Sequence, residues 1–322
     1  MEGYELPVRI TATAVMLLGV SSHSIVLYLT AKKPKADNQA YLLFMKIYST
    51  VSIVRLICGW SLINRSVKFT EATVIISYGL GSLFGGIFCV IVDAVGSLCV
   101  NLIYVLVPTG MALRCLITFQ RRIRSKHVLL VAGIILIFEV PDVVLKFYAY
   151  VPIMSFYSQL TPENQRELLH HSGYAMVRRS LWESYYSTFT SYHPYFCVPI
   201  TFILVGITAW RLWSYRKQMT TRTAQIHSSF IWLLSLEATA LCLSFVRNLA
   251  SSVIPNSELS TVLYFYAHPL TASIPAIQGW TMLCLIPYFR RELLSFFGKA
   301  TESKNSSIAR LSNQNRISTV VM

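Results

Sequence analysis

Charge is what this sequence has least of. Asp, Glu, Lys and Arg make up 13% of its 322 residues, and only 14 positions are acidic, where an ordinary soluble domain is about 25% charged. So few charges cannot cover the surface of a water-soluble globule of this length. Chemical machinery is equally sparse. The GxSxD of an intramembrane serine protease and the HExxH of a zinc protease are both missing, which argues against an enzyme. The seven cysteines (Cys58, Cys89, Cys99, Cys115, Cys197, Cys242 and Cys284) form no CxxC pair and no metal-ligand spacing, so they read as small packing residues. No metal and no cofactor is expected. Met1 to Pro7 carries two glutamates where a cleavable signal would be basic, so the first apolar run is expected to serve as an uncleaved anchor. No internal repeat of helix pairs or triplets is present, against the pattern of many carriers.

What the sequence has instead is apolar residues, 54% of the chain, in long unbroken runs. Lipid offers no partners to backbone N–H and C=O groups, so each run must be a helix of about 20 residues to cross about 30 Å. Seven such helices are expected, near 8–30, 41–63, 92–119, 128–148, 192–213, 228–254 and 262–287. The third needs argument, because apolar sequence continues from Val74 to Phe119, about 69 Å as one helix and twice a bilayer. The connectors AKKPKADNQ and RRIRSK are both basic and so lie on the cytoplasmic side, and only one further crossing fits between them after the second run. The glycine-rich SYGLGSLFGG (Ser77 to Gly86) is therefore expected to lie outside, partly buried, before a single third helix.

The net charge of +14 would suggest nucleic acid in a soluble protein. Here the basic residues set topology. The expected inner loops and tail, with Arg211 at the inner end of the fifth run, hold 17 of the 28 lysines and arginines, and the outer loops, with Arg9 at the outer end of the first run, hold 6. The positive-inside rule then puts residues 1–7 outside and the tail in the cytoplasm. Between them the fold class is an all-α seven-helix bundle, 8–289. Residues 288–300 (YFRRELLSFFGKA) form an amphipathic helix on the inner membrane surface, and 301–322 form a disordered tail. The longest connector, about 40 residues before Ser191, lies outside and has no cysteine between Met154 and Ser191. Its folding should rest on packing, with a Cys197–Cys89 bond as the remaining way to tie it.

An ionisable group inside a span costs about 2.5 to 3.5 kcal/mol on insertion scales, so each needs a reason. Asp93, Asp142, Lys146, Arg247 and His268 fall at one depth near the outer ends of their runs. They either line an outward pocket, with Tyr264, Tyr266 and Trp280 as apolar walls, or snorkel and pair, as Asp142 and Lys146 can at i,i+4 spacing. Glu139 and Glu237 lie deeper, as hydrogen-bonded packing residues or as parts of a switch. Pro199, Pro275 and Pro287 are candidate hinges, although proline is common in membrane helices. Asn64-Arg65-Ser66 is a glycosylation sequon on the outer side that hugs a helix end. Asn305-Ser306-Ser307 matches too but falls on the cytoplasmic side.

The usual rhodopsin-like marks are missing: DRY, CWxP, NPxxY and the aspartate of the second helix. In their places LGVSSHSIVLYLTAKKPKADNQAYLLF, SYGLGSL, KQMTTRTAQIHSSFIWLLSLEA, AHP (267–269) and IPYFRRELL resemble motifs of the nematode serpentine chemoreceptors of the str, srh and sri type. The resemblance implies a G-protein-coupled chemosensory receptor in the plasma membrane, in a sensory cilium, whose partners are a small odorant or peptide and a heterotrimeric G protein. It implies that Arg121 and Arg122, ending the third helix, and Arg216, Lys217 and Arg222 in the third inner loop meet the G protein; as bare sequence these are also ordinary positive-inside residues. A transporter or a ligand-gated olfactory channel is the alternative. The first lacks its repeats, and the second needs the amino terminus inside.

Overall fold

The computed structural model describes residues 2–32, 39–68, 72–118, 124–177, 193–215, 273–286 and 288–296, with isolated positions between 232 and 242. Its long helices are α1 (Glu2–Lys32), α2 (Gln39–Leu62), α3 (Gly86–Thr118), α4 (Ser125–Ala149) and α6 (His193–Tyr215), with α5 (Pro162–His170) a short helix in the long connector. Residues 273–285 form α7 and 288–296 form α8. Five stretches among the described residues are long and apolar enough to cross a membrane, within α1, α2, α3, α4 and α6. The expected sixth run, 228–254, lies almost wholly outside the described residues, as does the tail.

Lipid as solvent explains the residue pattern. In α4 the exposed side chains include Leu129, Leu130, Ile134, Ile137, Phe138, Val144 and Phe147, while the buried ones include Glu139 and Asp142. That inside-out distribution suits a helix that meets hydrocarbon on one side and protein on the other. Hydroxyls that face no partner turn back on their own helix, as Thr109 does to the Val105 carbonyl at 2.8 Å and Thr201 to Cys197 at 2.7 Å.

The third span is a single helix, as the charge argument requires, but it begins at Gly86 and not at 92. Gly86 misled as a helix breaker. Its missing side chain makes room for a neighbouring strand, since a Cβ there would sit 2.7 Å from the Gly173 carbonyl oxygen. Ahead of it, SYGLGSLFGG divides into the end of a strand at Ser77, a 3-10 turn over Leu80–Phe84 and the first residue of α3.

The connectors at this end fold into a small sheet that the sequence reading did not anticipate. β1 (Asn64–Lys68), β2 (Ala72–Ser77), β3 (Tyr150–Pro152) and β4 (Gly173–Val177) form one antiparallel sheet in the order β1-β2-β4-β3. β2 is buried on nearly all positions, so it shows none of the alternation by which a half-buried strand is recognised and reads as the start of a helix. Its root is the end of α2. Ile63, a β-branched residue at φ 44°, turns the chain sharply there. The orphan carbonyl of Leu62 then accepts the Gly79 N–H at 2.8 Å and the Ser77 hydroxyl at 2.6 Å.

Two apolar clusters follow. One lies under the sheet, where Val8 and Ala12 of α1 meet Val74, Ile76 and Ala175. The other fills the bundle around Phe44, Met45, Tyr48, Val107, Met111, Leu283 and Phe289. Cys197 belongs to this central cluster, whereas Cys89 packs with Leu62, Ile75 and Tyr174 on the face of the sheet opposite to Val74, Ile76 and Ala175. All seven cysteines are free thiols, so the Cys197–Cys89 tie is not made. Packing and strand pairing hold the described part of the long connector.

α1 and α7 approach almost backbone to backbone. A Cβ at Gly279 would lie 2.1 Å from Ser22 Oγ, and one at Gly19 would lie 3.1 Å from the Ala276 Cβ. Small residues at such crossings let membrane helices pack by van der Waals contact. Gly279→Val is therefore expected to cost about 1–3 kcal/mol by overpacking, read as a lower unfolding temperature of the detergent-solubilised protein. Gly133→Val, with no atom within 4 Å of its Cβ, should leave that temperature unchanged. Equal behaviour of the two variants would contradict the close approach.

Candidate functional site where the sheet meets the bundle

Asp93 stands two turns into α3, just below the sheet. Its carboxylate accepts a hydrogen bond from Lys146 Nζ of α4 at 2.8 Å and another from Asn64 Nδ2 of β1 at 3.1 Å. Lys146 also donates to the hydroxyl of Ser97, one turn along α3 and on the same face as Asp93. The Asp93 and Lys146 side chains are 21% and 18% exposed, which puts the pair at the lip of the bundle. Arg55 of α2 passes over two glycines beside them. A Cβ would meet its guanidinium at 2.9 Å from Gly59 and 3.8 Å from Gly96.

One layer deeper, Asn101 Nδ2 donates to Glu139 Oε2 at 2.9 Å, and Glu139 is 2% exposed. Asp142, 9% exposed, sits between the two layers on α4. Glu139, Asp142 and Lys146 thus share the one face of α4 that meets protein.

Of the pocket residues expected from sequence, Asp93 and Asp142 come together here. Arg247, Tyr264 and His268 lie outside the described residues. The ion pair that Lys146 makes is with Asp93 across the helix interface, where the sequence suggested Asp142 one turn back along α4. The reason is depth. Antiparallel packing of α3 on α4 brings Asn101 opposite Glu139, and eight residues further towards the sheet it brings Asp93 opposite Lys146. Asn64 also has a role that its sequon did not suggest. The amide nitrogen to which a glycan would be joined is the atom that donates to Asp93, on a half-buried side chain within a paired strand.

A second polar site spans the middle of the bundle, and sequence reasoning missed it. His23 of α1 is fully buried. Its Nε2 lies 2.8 Å from the Pro275 carbonyl oxygen, which can only accept, so Nε2 carries a hydrogen and donates. In the neutral ring Nδ1 then accepts from the Ser49 hydroxyl of α2 at 3.2 Å. Beside it Tyr48 hydrogen-bonds Gln278 Oε1 of α7, and Trp280 Nε1 donates to the Leu18 carbonyl at 3.2 Å. The candidate hinge Pro275 is therefore held from outside its own helix. The signal was present in SSHS, an ionisable ring among hydroxyls inside an apolar run.

At the end away from the sheet, Arg114 of α3 is 5% exposed. Its Nε donates to the Tyr41 hydroxyl of α2 at 2.8 Å, and its guanidinium carbon lies 5.5 Å from the centre of the same ring. Lys32 of α1 pairs with Glu292 of α8 at 3.2 Å. That exposed pair adds little by itself; the anchor of α8 is Phe289, 1% exposed in the central cluster. Of the remaining candidates, Pro199 lies within α6. Arg121, Arg122, Arg216, Lys217, Arg222, Glu237 and Pro287 lie outside the described residues.

Residues 8–295 match the family model for the serpentine type 7TM GPCR chemoreceptor Srd. The matched type is Srd, where the motifs resembled the str, srh and sri types; the nematode serpentine reading holds at the broader level. No curated protein matches the chain.

Breaking the Asp93–Lys146 pair from one side strands a charge in a poorly solvated place. Lys146→Met should destabilise the solubilised protein by up to about 3–5 kcal/mol, and adding Asp93→Asn should recover much of that loss. A double variant as unstable as the sum of the two single variants would show that the pair is not coupled.

Proposed function

We infer what this chain does from the family to which it belongs, the serpentine seven-transmembrane G-protein-coupled chemoreceptors of the Srd type. That match, running from residue 8 to residue 295, is the observation that carries the reading. The chain is a membrane chemoreceptor. The finer reading proposed here is of seven helices, the amino terminus outside, the tail in the cytoplasm, and residence in the plasma membrane of a sensory cilium. The excess of basic residues in the connectors away from the sheet supports that orientation, which makes the sheet extracellular.

The ligand proposed is a small odorant or peptide held on the outer side by Asp93, Asp142, Arg247, Tyr264 and His268. What supports this is that Asp93 and Asp142 lie on adjacent helices near the sheet, on the protein-facing sides of α3 and α4. Asp93 already holds Lys146 and Asn64, so a polar ligand reaching this layer competes for groups that tie α3 to α4 and to β1. Competition of that kind gives a ligand different affinities for two arrangements of the bundle, which is what moves a two-state receptor.

The response proposed is a rearrangement at the opposite end that uncovers Arg121 and Arg122 beside Arg216, Lys217 and Arg222 to the G protein. Pro199, Pro275 and Pro287 would serve as hinges, and Glu139 and Glu237 as buried groups that change partners.

Two outcomes follow. A glycosylation tag at the amino terminus is expected to be modified and an epitope after Lys304 to be reached by antibody only in permeabilised cells; both tags on one side would mean an even number of crossings and end this reading. Charge reversal, Arg121→Glu with Arg122→Glu, is expected to abolish agonist-evoked signalling with surface level and ligand affinity roughly unchanged, whereas Asp93→Asn or His268→Ala should weaken binding first. Signalling that survives the double reversal in a well-expressed protein would put the coupling surface elsewhere.

A further inference from the structure

The 3-10 turn Leu80–Phe84 and the first turns of α3 carry a surface that the sheet beside them does not. The sheet follows the soluble rule, with Val74, Ile76, Tyr174 and Ala175 buried. The turn inverts it. Gly79 and Gly81 face the protein, where a Cβ would meet the Ser61 carbonyl oxygen at 2.2 and 3.0 Å. Leu80, Leu83 and Phe84 face outward at 50%, 76% and 68% exposure, and Ile87, Phe88 and Ile91 continue the same ridge onto α3. The Phe84 and Phe88 rings pack on each other at 4.9 Å, so the ridge is preformed. No charged residue occurs between Glu71 and Asp93.

The height of the ridge follows from the helix pairing. Asp93 lies opposite Lys146, and the lipid-facing apolar residues of α4 end two positions later at Tyr148. Phe88 stands five residues before Asp93, about 7 Å higher at 1.5 Å per residue, and the 3-10 turn is higher still. The ridge therefore begins level with Tyr148 at Ile91 and reaches about one helical turn beyond it at Phe88. That is the headgroup boundary, where aromatic and aliphatic side chains are stabilised by partial insertion.

We propose that Leu80–Phe84, with Ile87 and Phe88, is an interfacial wedge that inserts into the lipid headgroup layer and docks the sheet onto the membrane surface. The occupant is lipid because the ridge runs on into the exposed apolar side of α3 and shares the inverted pattern of α4. The inference rests on the reading of the bundle as membrane-spanning. Insertion holds the sheet down over the Asp93–Lys146 layer, so the wedge and the candidate ligand site are joined by the first two turns of α3, Gly86 to Asp93.

The test places single nitroxides at Leu83→Cys and Phe84→Cys in the full chain, reconstituted in phospholipid nanodiscs on a Cys284→Ser background. Collision rates are measured with oxygen, which concentrates in lipid, and with a water-soluble nickel chelate. Tyr148→Cys supplies the lipid reference, and Ser158→Cys, exposed on the 3-10 turn after β3, the aqueous one. The oxygen-to-chelate ratio at 83 and 84 is expected to be several-fold above that at 158 and to approach that at 148. A ratio equal to that at 158 overturns the proposal, and so does protection from both reagents, which would mean that protein covers the ridge. A water-like ratio at 148 itself would instead remove the membrane reading on which the proposal rests.

Discussion

Hydrocarbon gives a polar group nothing to bond to, and the arrangement of this bundle follows from where its polar groups find one another. A buried polar side chain of a span is stabilised by a partner on its own helix or across an interface. The threonines take the first course, each hydroxyl turning to the carbonyl one turn back. The ionisable and amide groups take the second. Asp93 with Lys146, Glu139 with Asn101, His23 with Ser49 and Pro275, Tyr48 with Gln278 and Arg114 with Tyr41 each join two or more helices. Apolar packing cannot fix register between helices that face lipid equally well on any side; these contacts can.

They fall in three layers. Asp93, Lys146 and Asn64, with Glu139 and Asn101 beneath them, bind the sheet to α3 and α3 to α4; His23 and Gln278 bind α1 and α2 to α7; Arg114 and Tyr41 bind α3 to α2 at the far end. A receptor needs a ligand-facing layer, a coupling layer and an element between them with two arrangements. The middle layer is suited to the third part, because Pro275 is held by a single histidine from another helix while Gly279 is pressed against Ser22. Small residues let the helices approach there, and polar groups decide how they sit.

Where the physics is local, the sequence was readable. Run length and the placement of lysine and arginine led to helical runs that overlap α1, α2, α3, α4 and α6, and the basic connectors led to one helix between Val74 and Phe119, although α1 and α3 each begin six residues before the expected start. The same reasoning marked Asp93, Asp142 and Glu139 as groups that need a reason. It failed where partners come from far along the chain. β2 is buried over almost its whole length and pairs with β4, about a hundred residues later, so neither alternation nor a hairpin turn announces it. Lys146 looked paired within its helix because only i,i+4 neighbours are visible in one dimension. His23 was passed over because a neutral imidazole adds nothing to a count of charges, although burying it demands partners as a carboxylate does.

On the proposed function, a ligand bound near the sheet changes the opposite face of this chain so that a G protein responds. The direct measurement is guanine-nucleotide exchange on a heterotrimeric G protein in membranes carrying the chain, across a panel of volatiles and short peptides. The account predicts a ligand that raises exchange several-fold only where the chain is present. A ligand that instead evokes a current, or is itself taken up, in membranes stripped of G protein would contradict it.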